Sequence, residues 1–430
     1  MSMSWTADQV LALAPDASSA KSGQGLANPR KWVTLGHDAQ AVWGECQGSS
    51  KTPYRAQVDQ NGPAFRCSCP SRKFPCKHAI GLLLLLVNKP EVFSETAQPD
   101  WVSEWISSRA EKAEKQETKK RTAASDPKAQ AKRTSERRDK ITAGLNDLER
   151  WVRDLIRQGL ATTQGKPYSF WESTAARLVD AQAPGAARMV REMAGIPASG
   201  NGWQDRLLVR LGRLHLLIEG YKRFDILPPA TQADIRNTLG WNYNQDEVLA
   251  TESIHDQWHI LGQHVEQEDN MKTQRTWLWG ANSQQPALIL DFAHGNQPLD
   301  KSLVVNTVLD AELAFFPSNY PLRALLKQQH APPTSCTAFA GSPTVLEATN
   351  SYTKALARNP WIERFPLALN EVVPFYDGET WRAYDTDDRG LTLHKSSQNL
   401  WEMVATSGGY PIGIFGEWDG RQLTLLNTWG

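Results

Sequence analysis

Cysteine is scarce in this chain, with five in 430 residues, too few to staple a fold of this length by disulfides. Long apolar runs are absent as well. The longest uninterrupted one, Leu82 to Val87, falls far short of the ~18 residues that would mark a membrane span. The first residues, MSMSWTADQVLALAPD, carry acids early and have no basic stretch before an apolar core, which argues against a signal peptide. These absences together place the protein in a reducing, cytoplasmic setting. Signatures of catalysis are missing too: there is no Walker A loop, no GxGxxG at a strand–helix junction, no Gly-x-Ser-x-Gly and no HExxH. Nothing in the residues supports an enzyme.

Net charge is zero, but it is unevenly spread. Residues 1–140 hold 22 Lys and Arg against 15 Asp and Glu, and the remainder reverses that surplus. A basic front on an acidic body suits nucleic acid, an acidic partner or docking of one part on the other. The sequence pI of about 7.1 lies well below the ~9 typical of a dedicated nucleic-acid-binding domain.

Hydrophobic content is 40% and charged content 22%, ordinary for a globular chain, and the length suggests several domains. We expect a multidomain α+β protein with a small ββα zinc-finger module, a charged linker, a helical region and a C-terminal antiparallel sheet or barrel. The boundaries follow composition. Residues 1–106 form an N-terminal domain with the finger at about 40–90, and Gly25–Trp32 gives an ordered lead-in. Strand-like alternation in 41–48, 54–59 and 64–67 surrounds turns at Ser49-Ser50-Lys51 and Asn61-Gly62, and Ala79–Val87 then reads as a buried helix ended by Asn88-Lys89-Pro90. Residues 107–140 hold 12 Lys and Arg and no Val, Leu, Phe, Trp or Tyr; such a segment stays solvated as a tether, or serves as a basic arm.

From 141 to 254 the chain reads as helical. Leu145, Leu148, Trp151, Val152, Leu155 and Ile156 fall on one face, and similar stripes run through Trp171–Val179 and Leu207–Ile218. Residues 255–430 read as mainly antiparallel β, with strands around Trp258–Leu261, Thr276–Trp279, Ala287–Leu290 and Leu303–Leu309 and a helix at Val345–Leu356. Two Asp-Gly pairs, Asp377-Gly378 and Asp419-Gly420, each sit between apolar runs and signal hairpins.

The chemistry concentrates in one place. Cys67, Cys69, Cys76 and His78 lie within twelve residues. Three thiolates and an imidazole make a closed tetrahedral set for zinc. Cys67 and Cys69, two apart in an extended segment, point the same way; Pro70 and Pro75 bracket the return loop, and Cys76 and His78 stand at a helix entrance that favours thiolate. With four ligands present, the site is structural rather than catalytic. Arg66, Arg72, Lys73 and Lys77, with Phe74 interleaved, surround the loop. They could contact phosphates, bases or a protein partner, or simply neutralise the negative zinc site. His255, His259 and His264 read as surface or core histidines, Asp385–Gly390 as a turn rather than a calcium loop, Cys46 as a buried thiol, and Cys336 as a thiol with no identified base. The seventeen tryptophans read as core or interface anchors, and an exposed group of them in the C-terminal sheet would mark a partner groove.

The Cys-x-Cys, six-residue, Cys-x-His pattern, with strands before it and a helix after, resembles the SWIM zinc finger. The segment from Trp43-Gly44-Glu45-Cys46 through Gly62-Pro63-Ala64-Phe65 to Cys76-Lys77-His78-Ala79 is similar to the bacterial branch in particular. The resemblance implies one structural zinc on Cys67, Cys69, Cys76 and His78. It also implies an adaptor working beside an AAA+ ATPase and a von Willebrand A domain protein. SWIM fingers are proposed to bind DNA or protein, so nucleic acid remains the alternative.

Overall fold

In the computed structural model, residues 6–48, 52–60, 64–71, 73–109, 127–241, 243–268, 270–295, 297, 299–336, 339–397 and 400–429 are described. The Ser49-Ser50-Lys51 and Asn61-Gly62 turns and the middle of the charged segment lie outside them.

Two short helices precede the finger. The first, α1 (Ala7–Ala12), starts with a capping box in which Thr6 and Gln9 exchange side-chain and backbone bonds, and α2 (Ala17–Gln24) is capped by Asp16. Strands β1 (Trp32–His37), β2 (Ala41–Cys46), β3 (Tyr54–Asp59) and β4 (Ala64–Cys67) follow, then α3 (Lys77–Asn88), β5 (Ser94–Glu95) and a helix α4 over 100–109. The sheet order is β4-β3-β2-β1-β5, with only β1–β5 parallel. The apolar run Ile80–Leu85 buries nearly all its side chains against Val10, Val42, Val58 and Phe65. Helices α2 and α3 touch closely enough that a Cβ on Gly23 would sit 2.5 Å from Ile80 Cγ2. Strand β1 has no counterpart in the sequence expectation, which placed only a lead-in there. A register shift between Trp32 and Thr34 leaves Val33 60% exposed and breaks the alternation that would have marked it.

The charged segment is not one uniform tether. Residues 107–109 close α4, 110–126 lie outside the described residues, and α5 (Pro127–Gln158) runs without a break through position 140. Helices α6 (Tyr168–Asp180), α7 (Pro184–Met193), α8 (Trp203–Lys222) and α9 (Pro229–Leu239) pack with it around a single core. Ile141, Leu145, Leu148, Val152 and Leu155 face that core, but Ile156 is 46% exposed and Trp151 only partly covered, so the stripe is one residue narrower than its spacing implied. Arg138 at the start of the bundle grips Asp225 through both carboxylate oxygens at 2.8 Å.

After α10 (Gln245–Leu249) come β6 (Ser253–Glu268), β7 (Met271–Gly280), β8 (Pro286–His294), β9 (Thr307–Phe315), β10 (Ala324–Gln329) and β11 (Thr334–Ser335). They make a six-stranded antiparallel sheet ordered β10-β9-β6-β7-β8, with β11 also on β9. The strand expected at Leu303–Leu309 starts only at Thr307. Before it, Val304 turns into the core of the N-terminal module, and its carbonyl accepts the Thr307 hydroxyl at 2.7 Å. Helix α11 (Val345–Arg358) leads to β12 (Phe365–Tyr376), β13 (Trp381–Tyr384), β14 (Gly390–Leu393), α12 (Leu400–Ser407), β15 (Ile412–Trp418) and β16 (Leu423–Trp429). These five strands close a barrel in the order β12-β13-β14-β16-β15. Both Asp-Gly pairs turn hairpins, β12–β13 and β15–β16. The architecture is multidomain α+β.

Sheet and barrel share a core of Leu261, Trp277, Ala368 and Phe415, pinned by one buried carboxylate. Glu417 accepts Arg275 Nε at 2.7 Å and Nη2 at 3.1 Å, Trp277 Nε1 at 2.9 Å and Arg364 Nη1 at 3.3 Å. Burial pushes its pKa up, but Arg275, Trp277 and Arg364 outweigh that and hold it below the ordinary glutamate value. A carboxyl whose folded pKa is depressed contributes stability above its unfolded pKa of about 4.3, and that contribution fades as pH falls. Glu417→Gln should therefore cost about 3 kcal/mol at pH 7, because Arg275 loses its buried counter-charge and keeps only Glu266, 2.7 Å away and 40% exposed. In urea titrations of wild type and variant, the gap should narrow steadily below about pH 4; a gap that is absent at pH 7, or constant with pH, would show that the ion pair does not couple the two β units.

Candidate metal centre

Four side chains from two elements and one loop converge at the edge of the N-terminal sheet. Cys67 ends β4, opposite Ala56 of β3. Cys69 follows two residues on, the chain turns back through 70–75, and Cys76 is the N-cap of α3 in extended conformation, with His78 in the helix's first turn. All four ligand atoms lie within 4.8 Å of one another, and no other group of three or more His, Cys, Asp or Glu among the described residues does so. His78 Nδ1 stands 3.7 Å from Cys67 Sγ and 3.9 Å from Cys76 Sγ. A tetrahedral zinc with ordinary bond lengths has sulfur–nitrogen edges of about 3.6 Å. The spacing fits.

Cys76 and His78 are each 5% exposed, whereas Cys67 and Cys69 are half-buried at the rim. The Tyr54 ring lies 5.0 Å from the His78 ring and fixes its plane. Cys76 is the readiest thiolate: a hydrogen bond from Cys67 does most to bring its pKa down to about 4, and His78 and the Ala79 N–H add to that against the effect of burial. Cys67 is pushed up by the same bond and by burial. A cluster that already shares its protons in this way gives up the remaining ones to a divalent cation, which needs thiolates. Cys46 is fully buried on β2, its thiol raised by burial and outside the cluster.

The surrounding residues divide. Arg66 and Lys77 are exposed. Phe74 is 43% exposed, with its ring edge-on to Phe65 at 5.9 Å. Lys73 is committed to Asp16, 2.7 Å away, the same carboxylate that caps α2. Lys73 and the Ser19 N–H together draw Asp16 down to about 2. Arg72 lies outside the described residues.

Residues 58–86 match the SWIM zinc finger. Residues 136–239 match the SWIM-associated four-helix bundle domain, from within α5 to the end of α9. No curated protein matches the chain, and neither does any solved structure. The SWIM finger match and the Cys3His cluster together support one structural zinc, with the chemistry of a closed, fully ligated site and no position left for substrate. No helix among the described residues is long and apolar enough to cross a membrane.

Elsewhere the structure pairs residues that their sequence positions kept apart. His255 lies on β6 and bonds Asp310 at 2.6 Å, while His330 reaches Glu312 at 3.2 Å. His259 Nδ1 stands 3.3 Å from Cys336 Sγ, so that thiol has a base beside it after all. The two are 77 residues apart and meet because β6 and β11 both pair with β9 at Val308, with the Cys336 N–H bonded to the Asn306 carbonyl just before that strand. No local pattern announces such a pair. Asp385 accepts the N–H groups of Asp387, Arg389 and Val345, closing a turn and capping α11.

Zinc in a small finger contributes on the order of 10 kcal/mol to folding. Cys76→Ser should therefore reduce zinc content, read by elemental mass spectrometry, well below one per chain. Hydrogen exchange should show lost protection over 64–88 with the 136–239 bundle unchanged. Cys46→Ser should keep the metal. Equal zinc in both variants would remove the site from these residues.

Proposed function

We propose that Cys67, Cys69, Cys76 and His78 hold a structural zinc, and that the chain is a non-enzymatic adaptor that works with an AAA+ ATPase and a von Willebrand A domain protein. The SWIM finger supports a role in interactions, and the aromatic surface of the C-terminal barrel carries the choice of a protein partner. There Tyr376 stacks on Trp381 at 4.5 Å, and Trp401 meets Trp381 edge-on at 4.8 Å. Trp401 is 67% exposed, and Phe375 and Tyr410 stand exposed as well. Trp401 and Tyr376, braced on the buried Trp381 and themselves open to water, are the kind of rigid rings that anchor a protein interface, because they give much contact area for little lost freedom.

Nucleic acid is the second reading, favoured by Arg66, Lys77 and the open Phe74 ring beside the finger. Against it, Lys73 is paired with Asp16, Arg55 with Glu45 and Arg138 with Asp225, so several of the front half's cations already have acidic partners within the chain. Two measurements separate the readings. Affinity capture of an AAA+ ATPase should succeed with the full chain and weaken at least tenfold on Trp401→Ala. Fluorescence anisotropy with a DNA duplex at micromolar protein should show no salt-dependent binding. DNA binding that falls steeply with salt and is lost on Arg66→Ala, with no capture of the ATPase, would reverse the choice.

A further inference from the structure

A cleft of about 330 Å³ opens where the bundle meets the β units. Its floor is well built. Asp234 of α9 is 2% exposed and accepts the Ser318 hydroxyl at 2.5 Å, the Asn319 N–H at 3.1 Å and amide and the Asn359 amide at 2.7 and 2.9 Å. The Trp361 indole donates to the Arg213 carbonyl across the same seam at 3.1 Å. Asp234 thus spends its lone pairs on neutral donors and engages no cation.

The walls carry four arginines, Arg188, Arg210, Arg213 and Arg323, and two acids, Asp234 and Glu363. Arg188 takes Glu363 and Glu192, each at 2.7 Å, and Arg210 lies 3.8 Å from Glu192. Arg213 and Arg323 have no carboxylate within 4 Å among the described residues. Arg323 is half-buried, with its guanidinium flat against Phe316 at 4.2 Å, and burial alone lowers its pKa. A partly desolvated guanidinium without a counter-charge is costly, and the usual remedy is an anion. The stacking fixes the fork, leaving its N–H groups free to meet oxygen atoms in pairs.

We propose that this cleft binds a small phosphate-bearing anion, held by Arg213 and Arg323 with Arg210 beside them, and that the anion ties the bundle to the β units. Two open guanidinium groups suit a group that carries close to two negative charges at neutral pH, which a phosphate ester does and a single carboxylate does not. Tyr320 and Trp361, both partly exposed, line the same cleft and give it apolar surface for the organic part of such a molecule.

Isothermal titration of the zinc-loaded full chain with pyrophosphate in 50 mM salt tests the site. One saturable event per chain is expected, weakened at least tenfold by Arg213→Met and by Arg323→Met and left unchanged by Arg389→Met on the barrel. Acetate should not bind. Because Arg323→Met also removes the stacking on Phe316, its thermal melt is compared with wild type, and Arg213→Met decides the matter if Arg323→Met unfolds. Absence of saturable pyrophosphate binding by the wild type, equal binding by a folded Arg213→Met, or equal binding of acetate would each overturn the proposal.

Discussion

The closure of four ligands around one point, between the end of β4 and the start of α3, is the constraint on which the N-terminal module depends. The β3–β4 hairpin is short at its outer edge, and α3 is apolar on nearly every side, from Ile80 to Leu85. A helix of that composition must be covered all round, and it is covered by the sheet on one side and by α1 and α2 on the other. Zinc fixes where the helix starts relative to the sheet, so that Leu82, Leu83 and Leu85 meet Val42 and Val58 rather than water. Three thiolates on a divalent cation leave a net charge of −1. That charge sits at a helix N-terminus, which favours it, with exposed Arg66 and Lys77 nearby. The loop is held a second time from outside, by Lys73 on the Asp16 cap of α2.

The charge asymmetry of the chain takes on a different meaning in three dimensions. Read along the sequence, the basic front resembles an arm for phosphates. In space, part of it is used locally: Lys73 by α2, Arg55 by Glu45 beside the sheet, and Arg138 by Asp225 within the bundle. Two further guanidinium groups without a carboxylate within 4 Å among the described residues, Arg213 and Arg323, face a cleft at the seam behind the bundle. Cohesion of the two β units follows the opposite rule, since Glu417 gathers two arginines and an indole in a dry setting where one unpaired partner would be costly.

What could be read from the sequence was local. The zinc ligands are separated by one, six and one residues, so spacing alone brings them together, and a Cys3His set has few other uses. The Asp-Gly turns were legible for the same reason, because a two-residue hairpin needs left-handed backbone that Gly supplies; Gly378 and Gly420 both have positive φ. Val345–Leu356 and the Ile141–Leu155 face were legible from their period. The rest depended on contacts between distant segments. Strand β1 was hidden by a bulge at Val33, and β9 began late because Val304 was drawn into another core. The continuity of α5 through the charged segment was invisible because residues 134–136, 139 and 140 are exposed and carry no apolar stripe. The cleft at the bundle seam, the His259–Cys336 pair and the Glu417 junction join residues tens to hundreds of positions apart, which no periodicity encodes.

X-ray absorption at the zinc edge on the purified, reduced full chain tests the central claim most directly. The account predicts stoichiometric zinc with three sulfurs at about 2.3 Å and one imidazole nitrogen at about 2.0 Å. Substoichiometric metal, or a shell with oxygen ligands and fewer than three sulfurs, would contradict it.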